Sequence, residues 1–187
     1  DGSISSKLSK IIQNYKDSYP NLIEILALDK RGLPYALNDS ISKTNTKYYA
    51  RMDSDDIAFS NRLDKQIKYL EENQDVDILG AWSIEFEDSK QKESGFINKR
   101  PNTKREIENY FHYMNPLIHP TVIFRLDVFK KIGFYNEEFL TDQDLELWSR
   151  ALKNNINIMN LQEPLLYFRT QGRQKRRSKL SAIRRQI

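Results

Sequence analysis

Apolar side chains recur along this chain with two periods, one near 3.6 residues and one of two, and the switches between them mark its elements. Residues 4–19 put Leu8, Ile11, Ile12 and Tyr15 on one helical face, and Pro20-Asn21 ends that helix. Residues 22–28 are dominated by Leu and Ile and predict a buried strand. Lys30-Arg-Gly32 predicts a turn, and residues 33–43 a second helix. Tyr48, Tyr49 and Met52 predict a strand over 47–53. Residues 57–73 predict a long helix with Leu63, Ile67 and Leu70 as its apolar stripe. Residues 77–86 predict a strand with Trp82 and Phe86 in the core, and 89–103 a loop or short hairpin. A short helix follows over 103–112, then an irregular stretch over 115–120, a strand over 121–124 and a helix over 126–132 that Gly133 stops. A helix over 141–154, with Leu145, Trp148 and Leu152 as its core stripe, leads to two short strands over 156–159 and 165–169. Strands alternating with helices argue for an α/β layered sheet. In such sheets ligands bind outside the carboxyl ends of the strands.

The 187 residues fit one domain, and 39% apolar residues supply one core. No run of eighteen apolar residues is present, so no transmembrane helix is predicted. Asp1-Gly-Ser3 does not lead into the basic-then-apolar order of a secretory signal. The absence of cysteine excludes disulfides, zinc thiolate sites and cysteine nucleophiles. The net charge of +4 is concentrated at one end. Residues 173–187 hold seven of the 30 Lys and Arg and no acid, so the remainder is slightly acidic. That distribution argues against a body built to bind nucleic acid.

The chemistry concentrates where the predicted strand 47–53 runs into Asp53-Ser-Asp55-Asp56. An extended backbone would send Asp53 and Asp55 to one side. Two carboxylates on one side suit a hard divalent cation, and Mg²⁺ takes one or two carboxylates plus substrate phosphates. A solvated acidic turn, with Asp55 or Asp56 as a helix N-cap, accounts for the spacing as well. Asp144 also has two readings. Thr141-Asp-Gln-Asp144 fits a capping box, and Asp144 fits a general base. His119, before Pro120, is either an acceptor or phosphate contact or a structural turn residue, and His112 reads as a surface residue of its helix.

Tyr49-Ala-Arg-Met-Asp-Ser-Asp-Asp-Ile57, followed by Arg62-Leu63 and Gln66, resembles the Asp-x-Asp segment of family-2 glycosyltransferases. Gln143-Asp-Leu-Glu-Leu-Trp-Ser-Arg150 resembles that family's Glu-Asp-x-Asp-Leu-Trp-x-Arg segment, with Gln143 where the family usually has Glu. Gly32-Leu33, Leu37-Asn38, Gly80, His119-Pro120-Thr121 and Lys131-Ile-Gly-Phe-Tyr135 match further landmarks in the same order. The resemblance runs from Asp1 to Arg169. It implies a GT-A-like, Rossmann-like fold with a mostly parallel sheet flanked by helices. A nucleotide-binding part (1–56) would be followed by an acceptor part (57–172) and a basic tail (173–187). The family's Asp-Asp-Gly-Ser turn follows its second strand, so the resemblance puts the first two strands and the helix between them upstream of Asp1.

The resemblance also implies the activity: metal-dependent, inverting transfer from a nucleotide-diphosphate sugar to a hydroxyl of a cell-envelope polysaccharide or glycolipid. Asp55, with Asp53, would hold Mn²⁺ or Mg²⁺, Asp53 would face the nucleoside sugar, and Asp144 would be the base. Asp1, Asn38, His119 and Arg150 would contact substrate. Where many relatives carry Tyr-Arg-x-His, this chain reads Phe168-Arg169-Thr170-Gln171, which puts a third metal ligand in question. Leu180, Ile183 and Ile187 between basic residues suggest an interfacial helix drawn to anionic lipid, against a frayed or self-docked end. The expected location is therefore cytoplasmic, peripheral on the inner face of the membrane. A chain without the upstream strands would bind donor weakly and self-associate along its open sheet edge. The alternative is an incomplete or non-catalytic glycosyltransferase-like domain. A haloacid-dehalogenase-type phosphatase also uses Asp-x-Asp after a strand, but Asp53-Ser-Asp-Asp-Ile57 lacks the Thr-bearing continuation. Nucleic-acid binding through the basic tail ranks with it, behind the transferase.

Overall fold

A computed structural model describes residues 4–87 and 94–170. The chain divides into two units, one of residues 1–45 and 134–147, the other of 46–133 and 148–187. Asp1, Gln171 and the basic tail lie outside the described residues.

In the first unit, helix α1 (Ser6–Ser18) is capped by Ser5, whose hydroxyl accepts from the Leu8 amide at 3.3 Å. None of its residues is buried. Helix α2 (Leu33–Lys43) starts after Gly32, whose φ of +113° suits a residue without a Cβ, and has Pro34 in its first turn. It buries Pro34, Leu37 and Ile41 on one face. The strand expected over 22–28 does not form. Leu22 is 83% exposed and Ile25 45%, and no described strand pairs with this stretch. Apolar composition alone does not make a strand, because a strand is held by a neighbour's backbone.

The second unit is built on a six-stranded sheet. Its strands are β1 (Tyr48–Ala50), β2 (Ile57–Ala58), β3 (Ile78–Phe86), β4 (Phe96–Asn98), β5 (Ile123–Arg125) and β6 (Ile158–Arg169). The order is β1-β5-β3-β6-β2, with β4 paired to β3. The α/β class holds, but the sheet is mixed rather than mostly parallel. Only β3 and β6 run parallel, and the other four ladders are antiparallel. Side-chain period decides which face is buried and carries no information about direction, which depends on the end from which the chain re-enters the sheet. The two short strands expected at the C-terminal side are one strand, β6. Its register against β3 slips beside Trp82, which lies opposite Pro164. A proline has no amide for the ladder and is tolerated at such an irregularity.

Helix α3 (Arg62–Glu72) covers the sheet, where Leu70, Val76, Leu79 and Ile123 form a buried cluster with Tyr48, Ile67, Tyr69, Met159 and Leu161 packed on it. Its buried face is the expected one in part, since Leu70 is buried and Ile67 packs on the cluster. Arg62, Gln66 and Leu70 are buried, whereas Leu63 is 54% exposed. Helix α4 (Lys104–Phe111) begins with a capping box between Thr103 and Glu106. A 3₁₀ turn (His119–Thr121) leads into β5, and α5 (Val128–Ile132) ends at Gly133, with φ +76°. Helix α6 (Gln143–Lys153) contains Trp148, which is fully buried and stacked on Phe124 with ring centroids 5.7 Å apart.

Candidate active site

Strand β1 ends at Ala50, earlier than its residue types suggest. The carboxylates that follow meet through a turn and not through strand alternation. The Asp56 amide donates to the Asp53 carbonyl at 3.4 Å, which curls the segment. One oxygen each from Asp53, Asp55 and Asp56 then lies within 4.8 Å of the others. Asp53 is half-buried, Asp55 exposed and Asp56 buried. Three carboxylates this close repel one another, and the surrounding groups offset the repulsion. Arg51, with its side chain 12% exposed, donates to the Asp53 carboxylate and to the Met52 carbonyl. From the other side, the Arg169 amide donates to Asp56 Oδ1 at 2.8 Å, and its guanidinium to the Asp55 carbonyl at 2.9 Å. The donor set is all hard oxygen with a net negative charge, which fits Mg²⁺ or Mn²⁺ and not a thiolate-seeking metal.

Behind this turn the interior is polar. Arg62 donates to the Arg51 carbonyl at 2.8 Å and to Gln66 Oε1 at 3.0 Å. Burial, with the Arg51 cation beside it, pulls Arg62 down to about 10, while Asp56 pulls the other way, so the guanidinium stays charged at neutral pH. Arg62 and Gln66 belong to the motif that resembles the family, and the structure places both in the interior. The signal was present in their spacing, since Arg62, Gln66 and Leu70 recur at i, i+4 and i+8.

The other expected site residues fall into different settings. His119 is 9% exposed, with its ring edge-on to Trp148 at 6.0 Å. Burial and the Arg51 cation push its imidazole down to about 3, so it is neutral at physiological pH. Arg150 donates to the Ile132 carbonyl at the C-terminus of α5, where a cation is favoured. In the first unit, the Asn38 amide donates to the Tyr135 carbonyl at 2.9 Å and to Glu137 at 3.0 Å, and accepts from the Tyr135 amide at 3.0 Å. Asp144 is half-buried in the first turn of α6. That helix starts one residue later than a Thr141 capping box requires. Asp142 has φ +58° and its carbonyl takes the first helical amide, from Glu146, at 3.1 Å. Asp144 is thus the second helical residue and not the third, the position from which a capping box reaches back.

The family model of glycosyl transferase family 2 matches residues 1–133, and the chain is a member of that family. It is 32% identical over 90% of its length to the UDP-Gal:alpha-D-GlcNAc-diphosphoundecaprenol beta-1,3-galactosyltransferase of Escherichia coli, covering 60% of that protein. It is 31% identical over 90% of its length to the amylovoran biosynthesis glycosyltransferase AmsE of Erwinia amylovora, covering 62% of it. The chain therefore spans about three fifths of the length of these relatives. Among solved structures, S. aureus TarS 1-349 in complex with UDP-GlcNAc superposes with a TM-score of 0.64 at 18% identity, over 91% of this chain and 48% of that one. The mannosyltransferase PcManGT from Pyrobaculum calidifontis, in complex with GDP-Man and Mn2+, superposes with a TM-score of 0.60 at 13% identity, over 92% of this chain and 47% of that one. These two likenesses establish the GT-A fold.

Proposed function

We propose that this chain belongs to a metal-dependent, inverting glycosyltransferase that moves a sugar from a nucleotide-diphosphate donor to a hydroxyl of a cell-envelope polysaccharide or glycolipid. The observation that carries the reading is the turn that gathers Asp53, Asp55 and Asp56. Asp55, exposed, with Asp53 beside it, would hold a divalent cation, and that cation would offset the charge gained by the departing diphosphate. Asp53 would orient the nucleoside sugar, with Arg51 fixing its carboxylate. Asp144 would accept the proton of the attacking hydroxyl, and one direct displacement would invert the anomeric carbon. On the sequence pattern, Asn38, His119 and Arg150 would contact substrate. Asp1 keeps a donor-binding place on the sequence pattern. The relatives named for galactose transfer to a diphosphoundecaprenol-linked sugar and for amylovoran biosynthesis favour an envelope acceptor.

The test is a screen of nucleotide sugars for thermal stabilisation with and without Mn²⁺, followed by the same titration on Asp55→Ala. Stabilisation by one donor that requires Mn²⁺, and loss of that requirement in the variant, is expected. Equal Mn²⁺ affinity in both proteins would refute the metal site.

A further inference from the structure

The buried face of α3 carries two polar side chains where leucines would fit the pattern. Arg62 is 2% exposed and Gln66 is fully buried. Removing a guanidinium and an amide from water is unfavourable unless every bond they lose is replaced. Gln66 is fully committed. Its amide nitrogen donates to the Leu79 carbonyl on β3 at 3.2 Å and to the Thr121 carbonyl in the 3₁₀ turn at 2.9 Å. Its oxygen accepts from Arg62 Nε at 3.0 Å. Those three bonds fix the plane of the Arg62 guanidinium. Arg62 uses its remaining nitrogens on the Arg51 carbonyl at 2.8 Å and on Met52 Sδ at 3.3 Å.

Among the described residues Arg62 has no carboxylate within ion-pair distance. Burial of a cation is by itself weak evidence of stabilisation, so packing alone does not account for this guanidinium. What Arg62 does reach is the main chain just before the acidic turn. Residues 51–53 lie past the end of β1, where the Arg51 amide donates to the Val122 carbonyl, just before β5, at 2.8 Å. Arg62 adds a tie from α3 at the Arg51 carbonyl. Metal ligation tolerates errors of only a few tenths of an ångström in its oxygens. The carbonyl that Arg62 holds is two residues from Asp53 and four from Asp55.

We propose that Arg62 and Gln66 are positioning residues of the acidic turn: Gln66 orients Arg62 against the sheet, and Arg62 fixes the Arg51 carbonyl and the Met52 side chain so that Asp53 and Asp55 converge on one cation. The inference rests on the metal-dependent reading above. It adds that the turn is registered to the centre of the sheet through α3.

Two substitutions hold the charge constant, so that a change in cation affinity reads geometry. Arg62→Lys keeps the cation and loses the planar fork. Gln66→Leu keeps the arginine and removes the bonds that orient it. Free Mn²⁺ is followed by electron paramagnetic resonance during titration into the 187-residue chain, alone and with UDP. Circular dichroism and thermal unfolding verify that each variant is folded at the titration temperature. Both variants are expected to stay folded and to bind Mn²⁺ about tenfold more weakly, the size of effect that groups orienting a metal's ligands have. A loss smaller than about threefold in either folded variant, where the supporting effect is about tenfold, overturns the proposal. If one variant does not fold, the other decides. If neither folds, the pair is a fixture of the core and the proposal is again overturned. Asp55→Ala separates the two ideas. If it binds Mn²⁺ as wild type does, the metal reading falls and this one with it. If it loses binding while the α3 variants retain it, only the positioning role falls.

Discussion

Asp144 and His119 carry the sharpest claims about single side chains. Asp144 stands in the first turn of α6 with Glu146, where the helix N-terminus favours a charged carboxylate. A base acts on the transition state and contributes little to ground-state binding. We expect Asp144→Asn, made in an active enzyme, to lose turnover by orders of magnitude and keep donor affinity. If it instead loses only about 1 kcal/mol of stability, the worth of a cap, and keeps its rate, the base assignment fails. His119 gives a prediction with a sign. Its imidazole titrates near 6.5 when unfolded and near about 3 in the fold. Between those values the unfolded chain binds the extra proton, so stability is intact above about pH 6.5 and declines as pH falls towards 3. The decline is up to roughly 5 kcal/mol for a shift of this size. Urea unfolding at pH 7 and pH 4.5 measures it. Nuclear magnetic resonance of the imidazole should show no protonation in the folded protein near pH 6, and a midpoint near 6.5 would contradict the burial argument.

Among the elements, β3 shows how closely the sheet is packed at its centre. It pairs with β4, β5 and β6, and Gly80 sits opposite Asn160. A Cβ on Gly80 would come within 2.2 Å of Asn160 Oδ1 and 2.7 Å of Leu117 Cδ2. Asn160 cannot move aside cheaply, because its amide nitrogen donates to the Pro101 carbonyl at 2.7 Å and the Pro116 carbonyl at 3.1 Å. Gly80→Ala is therefore expected to destabilise by about 1–3 kcal/mol, as overpacked cores do. Denaturant unfolding of the variant checks it, and wild-type stability would show that the asparagine has room. Helix α3 is the counterpart. Its outward Leu63 and inward Arg62 and Gln66 depart from a reading based on hydrophobicity alone, while Leu70 and Ile67 follow it, and bonds to main-chain carbonyls offset the burial of the two polar side chains.

For the whole chain the question is where it acts. No helix of the described residues is long and apolar enough to cross a membrane. The sequence puts seven Lys and Arg and an apolar stripe into residues 173–187. Each such charge near an anionic bilayer is worth about 1 kcal/mol and is screened by salt. We expect truncation before Arg173 to leave the fold intact, with an unchanged thermal unfolding midpoint, and to reduce co-sedimentation with anionic vesicles at low salt. Binding that survives truncation would remove the tail from the account.

The sequence by itself determined the α/β class, the helices over 33–43 and 103–112, the stop at Gly133, the burial of Trp148 and the place of the acidic cluster. These follow from short-range causes: side-chain period, glycine and proline geometry, and capping within three or four residues. Tertiary structure decided the rest. Residues 22–28 look like a strand but have no described neighbour to pair with. The direction of each ladder depends on where distant segments enter the sheet. Asp56 is bonded to Arg169, 113 residues away, and Gln66, which bonds Arg62 behind the turn, is bonded to Thr121, 55 residues away. Bonds between residues so far apart leave no mark on local pattern, so the motif could be read in the sequence while the geometry that would make it a metal site could not.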